Sequence, residues 1–231
     1  MRGKFIQYRL LLILVTTVAA CILLALSWPR LRASVHYLPV DTAISNYWKT
    51  REVNHTQLDG LVNRAVESIT IHDHFRYWEG QSELLILTGQ DMNRSFWERR
   101  EALEKSIATA QEVVRRAPAR PRAWLRIARA GEFLSYPAAQ VIPAFKMSIL
   151  TGRVEPTLML SRLELGLRYL PAMDADATRL LRDQAILTWT GQQRAMLKRI
   201  ESGHLSADLL RELLATSAPS ILSEMEIHLV K

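Results

Sequence analysis

The chain is poor in cysteine and in every short catalytic motif, and each shortage excludes something. The only cysteine among 231 residues is Cys21, which lies within an apolar run. No disulfide can therefore form in the remainder of the chain, whose stability must come from packing. The sequence contains no P-loop, no Gly-rich dinucleotide turn, no G-x-S-x-G elbow and no metalloprotease helix. No motif identifies an enzyme, and we predict none.

Acidic residues are absent from positions 1–28, and the charge of the rest is mild. The formal net charge of +7 includes Arg2, Lys4 and Arg9. Without these three residues, 27 basic residues face 23 acidic ones, which leaves a net of +4. Binding nucleic acid through phosphate neutralisation normally requires a denser basic stripe together with aromatic reading surfaces. We therefore predict no nucleic-acid partner.

An uncharged run of eighteen residues, LLLILVTTVAACILLALS, occupies positions 10–27. As a helix it is roughly 27 Å long, close to the thickness of a hydrocarbon core. Tyr8 and Trp28 flank the run at positions typical of interfacial aromatics. We predict an uncleaved transmembrane helix over residues 10–28, which contacts the lipid bilayer.

Two other interpretations of this run stay open at the level of sequence. A signal peptide has a shorter apolar core, but Ala25-Leu-Ser27 could serve as a cleavage site. The segment 18–21, VAAC, resembles a bacterial lipobox in which Cys21 becomes the lipidated N-terminus. Against lipidation, the apolar residues ILLAL follow the cysteine where lipoproteins usually continue with small or polar residues.

The charges on the two sides of the run favour one orientation by a narrow margin. Arg2, Lys4 and Arg9 precede it, whereas Arg30 and Arg32 follow it. The positive-inside rule places the tail 1–9 in the cytoplasm and the main domain in the periplasm. Residues 29–57 show no sustained period, and we interpret them as a tether and lead-in to a domain over residues 58–231.

From Leu58 onward every long segment has helical periodicity, and no convincing alternating strand is present. The segment 96–118 carries a stripe of small residues composed of Ala102, Ser106, Ala110 and Val113. Pro121 and Pro156 are 35 residues apart, near the 34-residue tetratricopeptide period. We predict an all-α fold in which the transmembrane helix precedes a tetratricopeptide-like array of helical hairpins.

The stretch ARPRAWLRIARAGEF, residues 119–133, contains four arginines. Pro121 suits the first turn of a helix, and Trp124 then lies on one side as a predicted core residue. Arg122, Arg126 and Arg129 follow at i, i+4 and i+7 on the other side. Three interpretations stay open: a solvated face, a site for an anionic ligand and a protein-docking face. We carry these three arginines forward as a possible docking face.

Catalytic, metal and cofactor sites are not predicted. His72-Asp73-His74 invites a metal interpretation, but positions i and i+2 of a helix do not face the same way. Glu164 and Asp174 are a conceivable carboxylate pair for glycosidic chemistry, although each also suits a surface or capping role.

The centre of the chain resembles a known family. The segments AQEVVRRAPARPRAWLRIA and AFKMSILTGRVEPTLMLSRLELGLRYLPAM are similar to the conserved centre of the VpsP-like family. The family's Pro-x-x-Trp-x-x-Leu-Ala helix is matched at Pro121, Trp124, Ile127 and Ala128, its Gly-x-x-Glu-Pro turn at Gly152, Glu155 and Pro156, and its Gly-Leu pair at Gly166 and Leu167. Departures are Val154, where an aromatic is common, and Pro171-Ala172, where a tryptophan often occurs.

The resemblance implies a function that composition and spacing do not. Members of this family are small, membrane-anchored, tetratricopeptide-like bacterial proteins associated with exopolysaccharide or O-antigen assembly. This chain would then be a scaffold or binding subunit in the bacterial inner membrane. Its partners would be membrane proteins of a polysaccharide polymerase, export or ligase system. Two alternatives are an adaptor of another envelope machine, such as secretion or cell-wall synthesis, and a glycan-active enzyme.

Overall fold

A computed structural model describes residues 2–50, 52, 54–215 and 218–229. Over these residues the chain forms ten α-helices and two short 3-10 turns, and it contains no strand, so the all-α prediction is confirmed. The helices are α1 (Arg2–Thr50), α2 (Leu58–Ile71), α3 (Phe75–Gln90), α4 (Phe96–Arg116), α5 (Pro121–Phe133), α6 (Ala138–Leu150), α7 (Pro156–Tyr169), α8 (Ala175–Glu201), α9 (Ala207–Leu214) and α10 (Pro219–Leu229). The predicted tail, tether and outer domain also include Met1, Arg51, Val53, Thr216, Ser217, Val230 and Lys231, which lie outside the described residues.

The chain divides into two compact units between Gly80 and Gln81. In the first unit, α1 is one continuous helix that includes Pro29 and Pro39. It is long and apolar enough to cross a membrane, and none of its apolar window is buried against protein. Where the sequence predicts a tether without a helical period, the helix instead continues from residue 29 to Thr50.

The continuation of α1 is stabilised by packing that the sequence pattern does not reveal. Ala33, Tyr37 and Val40 follow one another at i, i+4 and i+7 and are buried, with α2 lying alongside. The Tyr37 ring contacts the Tyr77 ring at a centroid distance of 4.9 Å. A Cβ atom at Gly80 would lie 1.7 Å from the Tyr37 hydroxyl oxygen, so only glycine allows this approach. Buried small and aromatic residues therefore hold 29–50 helical despite its polar composition.

The second unit begins with the last part of α3, and within it α5 packs against both α4 and α6. The predicted small-residue stripe of α4 is confirmed, because Ala102, Ser106, Ala110 and Val113 are all buried. A capping box begins α4: the Ser95 hydroxyl accepts from the Glu98 backbone N–H, and the Glu98 carboxylate accepts from the Ser95 backbone N–H. Trp124 is only half-buried, and its indole N–H donates to the Pro118 carbonyl at 2.8 Å. The predicted core role of Trp124 is thus only partly met.

The remaining helices enclose a leucine-rich core that joins the α5–α6 pair. Asp174 caps α8 as predicted, because its carboxylate accepts from the Ala177 backbone N–H at 2.6 Å. Gly152, in the Gly-x-x-Glu-Pro turn after α6, does not have a left-handed backbone; among the described glycines only Gly203 does. A Cβ at Gly152 would lie 2.7 Å from the Pro121 Cγ, so close packing explains this glycine. The tetratricopeptide-like repeat of these hairpins stays a prediction.

Candidate functional site

The three arginines predicted to form an exposed face have different environments. Arg126 is buried, with only 6% of its surface exposed, so the predicted exposure is wrong for this residue. Its guanidinium donates to the Ser82 hydroxyl at 2.6 Å and is ion-paired with Glu83 on α3. Arg122 and Arg129 are half-buried. A helical wheel could not reveal this, because the covering helix α3 lies more than forty residues earlier in the sequence.

The half-buried arginines link α5 to α7. Arg122 donates to the Thr157 hydroxyl at 3.0 Å and lies 3.7 Å from the Glu155 carboxylate. Arg129 donates to Glu132 at 3.0 Å and lies 3.9 Å from a Glu164 oxygen. Both arginines therefore already have acidic partners on their own or a neighbouring helix. The docking role of this face stays a prediction.

The same face carries two further ion pairs between helices. Glu132 pairs with Arg168 of α7, and Glu164 pairs with Arg199 of α8 at 3.0 Å. Burial raises the pKa of the Tyr169 hydroxyl, and the nearby Glu132 carboxylate raises this pKa further. The result is an alternating set of acids and bases that joins α5, α7 and α8. Alternation of this kind orients helices, and it leaves no strong field of one sign for a ligand.

The carboxylates considered for glycosidic chemistry each have a structural partner. Glu164 faces two arginines in the ion-pair set just described. Asp174 caps α8 and also accepts from the Lys146 ammonium at 3.1 Å. The Ala177 backbone N–H, and to a lesser degree Lys146, lower the pKa of the Asp174 carboxyl. An acid with a lowered pKa is a poor proton donor near neutral pH, so Asp174 does not suit the role of general acid.

His72, Asp73 and His74, considered above as metal ligands, each have other contacts. The imidazole rings of His72 and His74 are stacked at a centroid distance of 6.1 Å. Asp73 between them instead accepts from the Trp78 indole N–H at 2.6 Å. Among the residues that the structure describes, no group of three or more His, Cys, Asp or Glu side chains is arranged to hold a metal ion.

Arg162 of α7 is the largest fully buried side chain in the described chain. It donates to the Ser148 hydroxyl at 3.0 Å, to the Gly152 carbonyl at 2.9 Å and to the Gln184 amide oxygen at 3.1 Å. Burial lowers the pKa of the Arg162 guanidinium to about 10, so the group is still charged at neutral pH. Arg162 donates hydrogen bonds to carbonyl groups at the end of α6 and is enclosed by protein. Its role is therefore to stabilise the packing of α7 against the end of α6.

An open cleft of about 250 Å³ lies where α4 begins and α5 ends. Its lining combines two aromatic rings, two arginines and an apolar floor, and consists of Phe96, Arg99, Arg100, Leu103, Phe133, Leu134 and Ser135. Ser135 has a φ of 57°, the only positive φ among the described non-glycine residues. This conformation ends α5 in a Schellman turn, in which the Ser135 and Tyr136 backbone N–H groups donate to the Glu132 and Gly131 carbonyls.

Exposed aromatic residues lie on the α4 side of this cleft. Phe96 is 63% exposed and the adjacent Trp97 is 73% exposed, with their rings 5.2 Å apart edge to face. Met92, in the turn before α4, is exposed as well. Arg99 donates through Nε to the Gly89 carbonyl at 3.3 Å, which holds its guanidinium beside the cleft. We refer to Met92, Phe96, Trp97, Arg99 and Phe133 as the aromatic corner.

Sequence reasoning missed the aromatic corner, although part of its signal was present. The adjacent aromatics Phe96 and Trp97 begin α4, directly after the Ser95 cap. Two consecutive helix positions differ by about 100°, so both rings cannot face one narrow core. Phe133 joins them only because α5 packs against α4, which the sequence did not predict. Comparison of the chain with family models, with curated proteins and with solved structures finds no match.

Proposed function

We propose that the chain is a membrane-anchored helical scaffold that binds a partner protein during assembly of a bacterial surface polysaccharide. In this proposal α1 spans the inner membrane, the tail 1–9 is cytoplasmic, and the helices from α2 onward face the periplasm. The partner is a membrane protein of the polymerase, export or ligase system. The process is proposed from the resemblance to the VpsP-like family, and the binding role from the aromatic corner.

The aromatic corner is the observation that carries the binding role. Large exposed apolar side chains are energetically unfavourable in water, and clusters of them typically mark interaction surfaces. Aromatic residues, methionine and arginine are the residue types enriched at protein interfaces. Phe96 and Arg99 line the cleft, Trp97 contacts the Phe96 ring, and the exposed Met92 precedes α4. By contrast, the ion pairs of Arg122 and Arg129 are satisfied within the chain.

A matched pair of double variants tests the binding role. Phe96→Ala with Trp97→Ala removes the two most prominent rings of the corner. Leu150→Ala with Val154→Ala is the control, because these residues are similarly exposed at 63% and 66% but lie outside the corner. In a strain lacking the chromosomal copy, we expect the first variant to reduce surface polysaccharide and the control to restore it. Equal restoration by both variants would contradict the binding role.

Co-purification of candidate partners identifies which protein the aromatic corner binds. The polymerase, flippase and ligase of the same polysaccharide system are each co-expressed with the tagged chain and extracted in mild detergent. We expect one of them to co-purify with the parent chain and with the Leu150/Val154 control, but not with the Phe96/Trp97 variant. If none co-purifies while the deletion impairs secretion or cell-wall synthesis, the chain serves another envelope machine.

The anchor and its orientation have separate tests. Intact-mass measurement of the membrane-extracted chain should give the uncleaved mass. A mature chain beginning at Trp28, or at a lipid-modified Cys21, would overturn the anchor proposal. A reporter fused after Lys231 that is active only after export should be active, and activity of a cytoplasm-dependent reporter alone would reverse the proposed orientation.

A further inference from the structure

The start of α3 contacts α1 a few residues after the apolar part of α1 ends. Within the first unit, the Ser34 hydroxyl and the Tyr77 hydroxyl are hydrogen-bonded at 3.0 Å. The Tyr37 hydroxyl donates to the Arg76 carbonyl at 3.3 Å. The His74 ring lies 5.9 Å from the Tyr77 ring. The first turn of α3 is thus fixed against residues 34–37 of α1, and His74 at the end of the α2–α3 turn lies beside it.

Arg30 lies on the same face of α1, one turn closer to the apolar run. Positions 30, 34 and 37 have the i, i+4 and i+7 spacing of one helix face. Arg30 follows Trp28 by two residues, so it lies roughly 3 Å further along the helix axis. Headgroups occupy about 5–7 Å on each side of a hydrocarbon core. If residues 10–28 span the bilayer, Arg30 and the α2–α3 turn are at headgroup depth.

The side chains gathered at this level have the chemistry of an anion site. Burial lowers the pKa of His74, and the positive charges of Arg30, His72 and Arg76 lower it further. Arg30, His72 and Arg76 therefore each lie close enough to His74 to affect it, and the His72 and His74 rings are stacked at 6.1 Å. Arg76 is already paired with Asp41 at 2.9 Å, whereas the exposed Arg30 has no ion-pair or hydrogen-bond partner in the described chain.

Aromatic side chains surround the same group. The Phe75 ring contacts the His74 ring at a centroid distance of 4.5 Å. The Trp78 indole N–H donates a hydrogen bond to the Asp73 carboxylate. Trp28 on α1 is largely exposed. Tyrosine and tryptophan are enriched at headgroup depth because one edge of each ring is polar and the remainder is apolar. The combination of cations and aromatics at one depth favours a lipid headgroup over a soluble anion.

We propose that Arg30, His72 and His74 form a binding site for the phosphate of an anionic phospholipid, at the level where α1 leaves the bilayer. The proposal rests on the membrane anchor of the proposed function. Arg30 supplies the permanent charge and the paired N–H donors, and His72 supplies a further N–H donor. His74 can donate through Nε2, because its Nδ1 accepts from the Arg76 backbone N–H at 3.3 Å. A bound headgroup would join α1 to the α2–α3 turn, and it would hold this part of the chain at a fixed height above the membrane.

Arg30→Gln and Arg32→Gln provide a matched comparison. Both arginines are exposed, they are two residues apart, and each variant removes one positive charge. Residue 32 lies about 200° around the helix from residue 30, away from the α2–α3 turn. Simple attraction of positive charge to an anionic surface predicts equal losses for the two variants. A site predicts a loss for Arg30→Gln alone, and a similar loss for His74→Gln.

The measurement uses the full chain extracted in detergent and titrated with short-chain phosphatidylglycerol or phosphatidylcholine, with bound lipid counted by native mass spectrometry. We expect Arg30→Gln to weaken phosphatidylglycerol binding about fivefold, in line with the contribution of one cation at a membrane surface. Arg32→Gln should match the parent, and phosphatidylcholine should bind equally weakly to all. Equal behaviour of the two arginine variants, or no preference for the anionic lipid, overturns the site.

Failure of the anchor and failure of the headgroup site are distinguishable. Extraction of membranes with alkaline carbonate releases a chain that does not span the bilayer, and that result would reject the proposed anchor itself. Retention of the chain in the carbonate pellet, combined with equal lipid binding by the Arg30 and Arg32 variants, rejects the headgroup site alone. Far-ultraviolet circular dichroism of each variant checks that the helices are retained.

Discussion

Two arginines of the second unit are buried in neighbouring regions for different physical reasons. Arg126, in the region of α3 and α5, is neutralised by the Glu83 carboxylate and also contacts Ser82. Arg162, in the region of α6 to α8, has no carboxylate among its hydrogen-bond partners. Its partners are a hydroxyl, backbone carbonyls at the end of α6, and the Gln184 amide. One region buries an ion pair, and the other buries a single charge among dipoles.

The comparison shows that replacing a buried arginine leaves different groups without a partner in the two regions. Loss of Arg126 leaves an uncompensated carboxylate in a protein interior, which is strongly unfavourable. Loss of Arg162 leaves neutral acceptors without donors, which costs less per group. We therefore expect a substitution of Arg126, whose ion pair joins α3 to α5, to cost more stability than a substitution of Arg162, which is surrounded by neutral polar groups. The ranking of single substitutions in the two regions follows from this difference.

The largest expected effect is that of Arg126→Met. Methionine keeps much of the side-chain volume but leaves the Glu83 carboxylate buried and unpaired. We expect the free energy of unfolding to fall by about 3–5 kcal/mol, the usual result of breaking a buried pair. Urea unfolding of the full chain in nanodiscs, followed by circular dichroism, gives this value.

Adding Glu83→Met to Arg126→Met checks the physical reason. The double variant removes both charges and replaces them with apolar volume, so we expect most of the lost stability to return. Double and single variants with the same stability would show that the unpaired carboxylate is not what destabilises the single one. The contrast between the two regions would then fail.

The intermediate effect is that of Arg162→Met. The Ser148 and Gly152 carbonyls and the Gln184 amide oxygen lose a donor, but no charge is left behind. We expect a loss of about 1–3 kcal/mol, since removal of the buried charge offsets part of the cost of unsatisfied acceptors. The same urea experiment measures it. A loss larger than that of Arg126→Met would reverse the ranking on which the comparison depends.

The smallest effect is that of Arg122→Gln, the half-buried arginine at the start of α5. Its contacts with Thr157 and Glu155 are near the surface, where ion pairs contribute about 0–1 kcal/mol. Glutamine can still donate to one of these oxygens. We expect a change within about 0.5 kcal/mol, and added salt should reduce the difference further. A loss comparable to that of Arg162→Met would mean that position, rather than charge burial, decides these costs.

The sequence predicted the local features of the fold better than its contacts over long distances. The stripe of small residues on α4, the Asp174 cap and the helix-starting prolines depend on neighbours within a few residues, and all three are present. The burial of Arg126 depends on Glu83, which is 43 residues earlier. No helical period contains that information. The helical periodicity of α5 therefore placed Arg126 on the polar face, although α3 covers it.

The candidate site shows the same division between local and distant information. The pattern Phe96-Trp97 is visible in the sequence, whereas the cleft exists only because Phe133, at the end of α5, and Ser135, in the turn after it, lie beside it. Residues 29–57 show no sustained period, which predicted a tether and not a helix. The buried Tyr37, packed against Gly80 and Tyr77, overrides that local signal. Tertiary packing decided each element that the sequence did not predict.

The uninterrupted course of α1 would give the proposed anchor a mechanical property. From Pro29 to Thr50 the helix extends for roughly 33 Å. Transmembrane helices tilt when the bilayer becomes thinner. A change in tilt of about 10° would displace the distal end of this lever by roughly 6 Å. The lever is most compliant at its two prolines, each of which removes one backbone hydrogen bond. With α1 in the membrane, bilayer thickness becomes an input that moves the far end of the first unit.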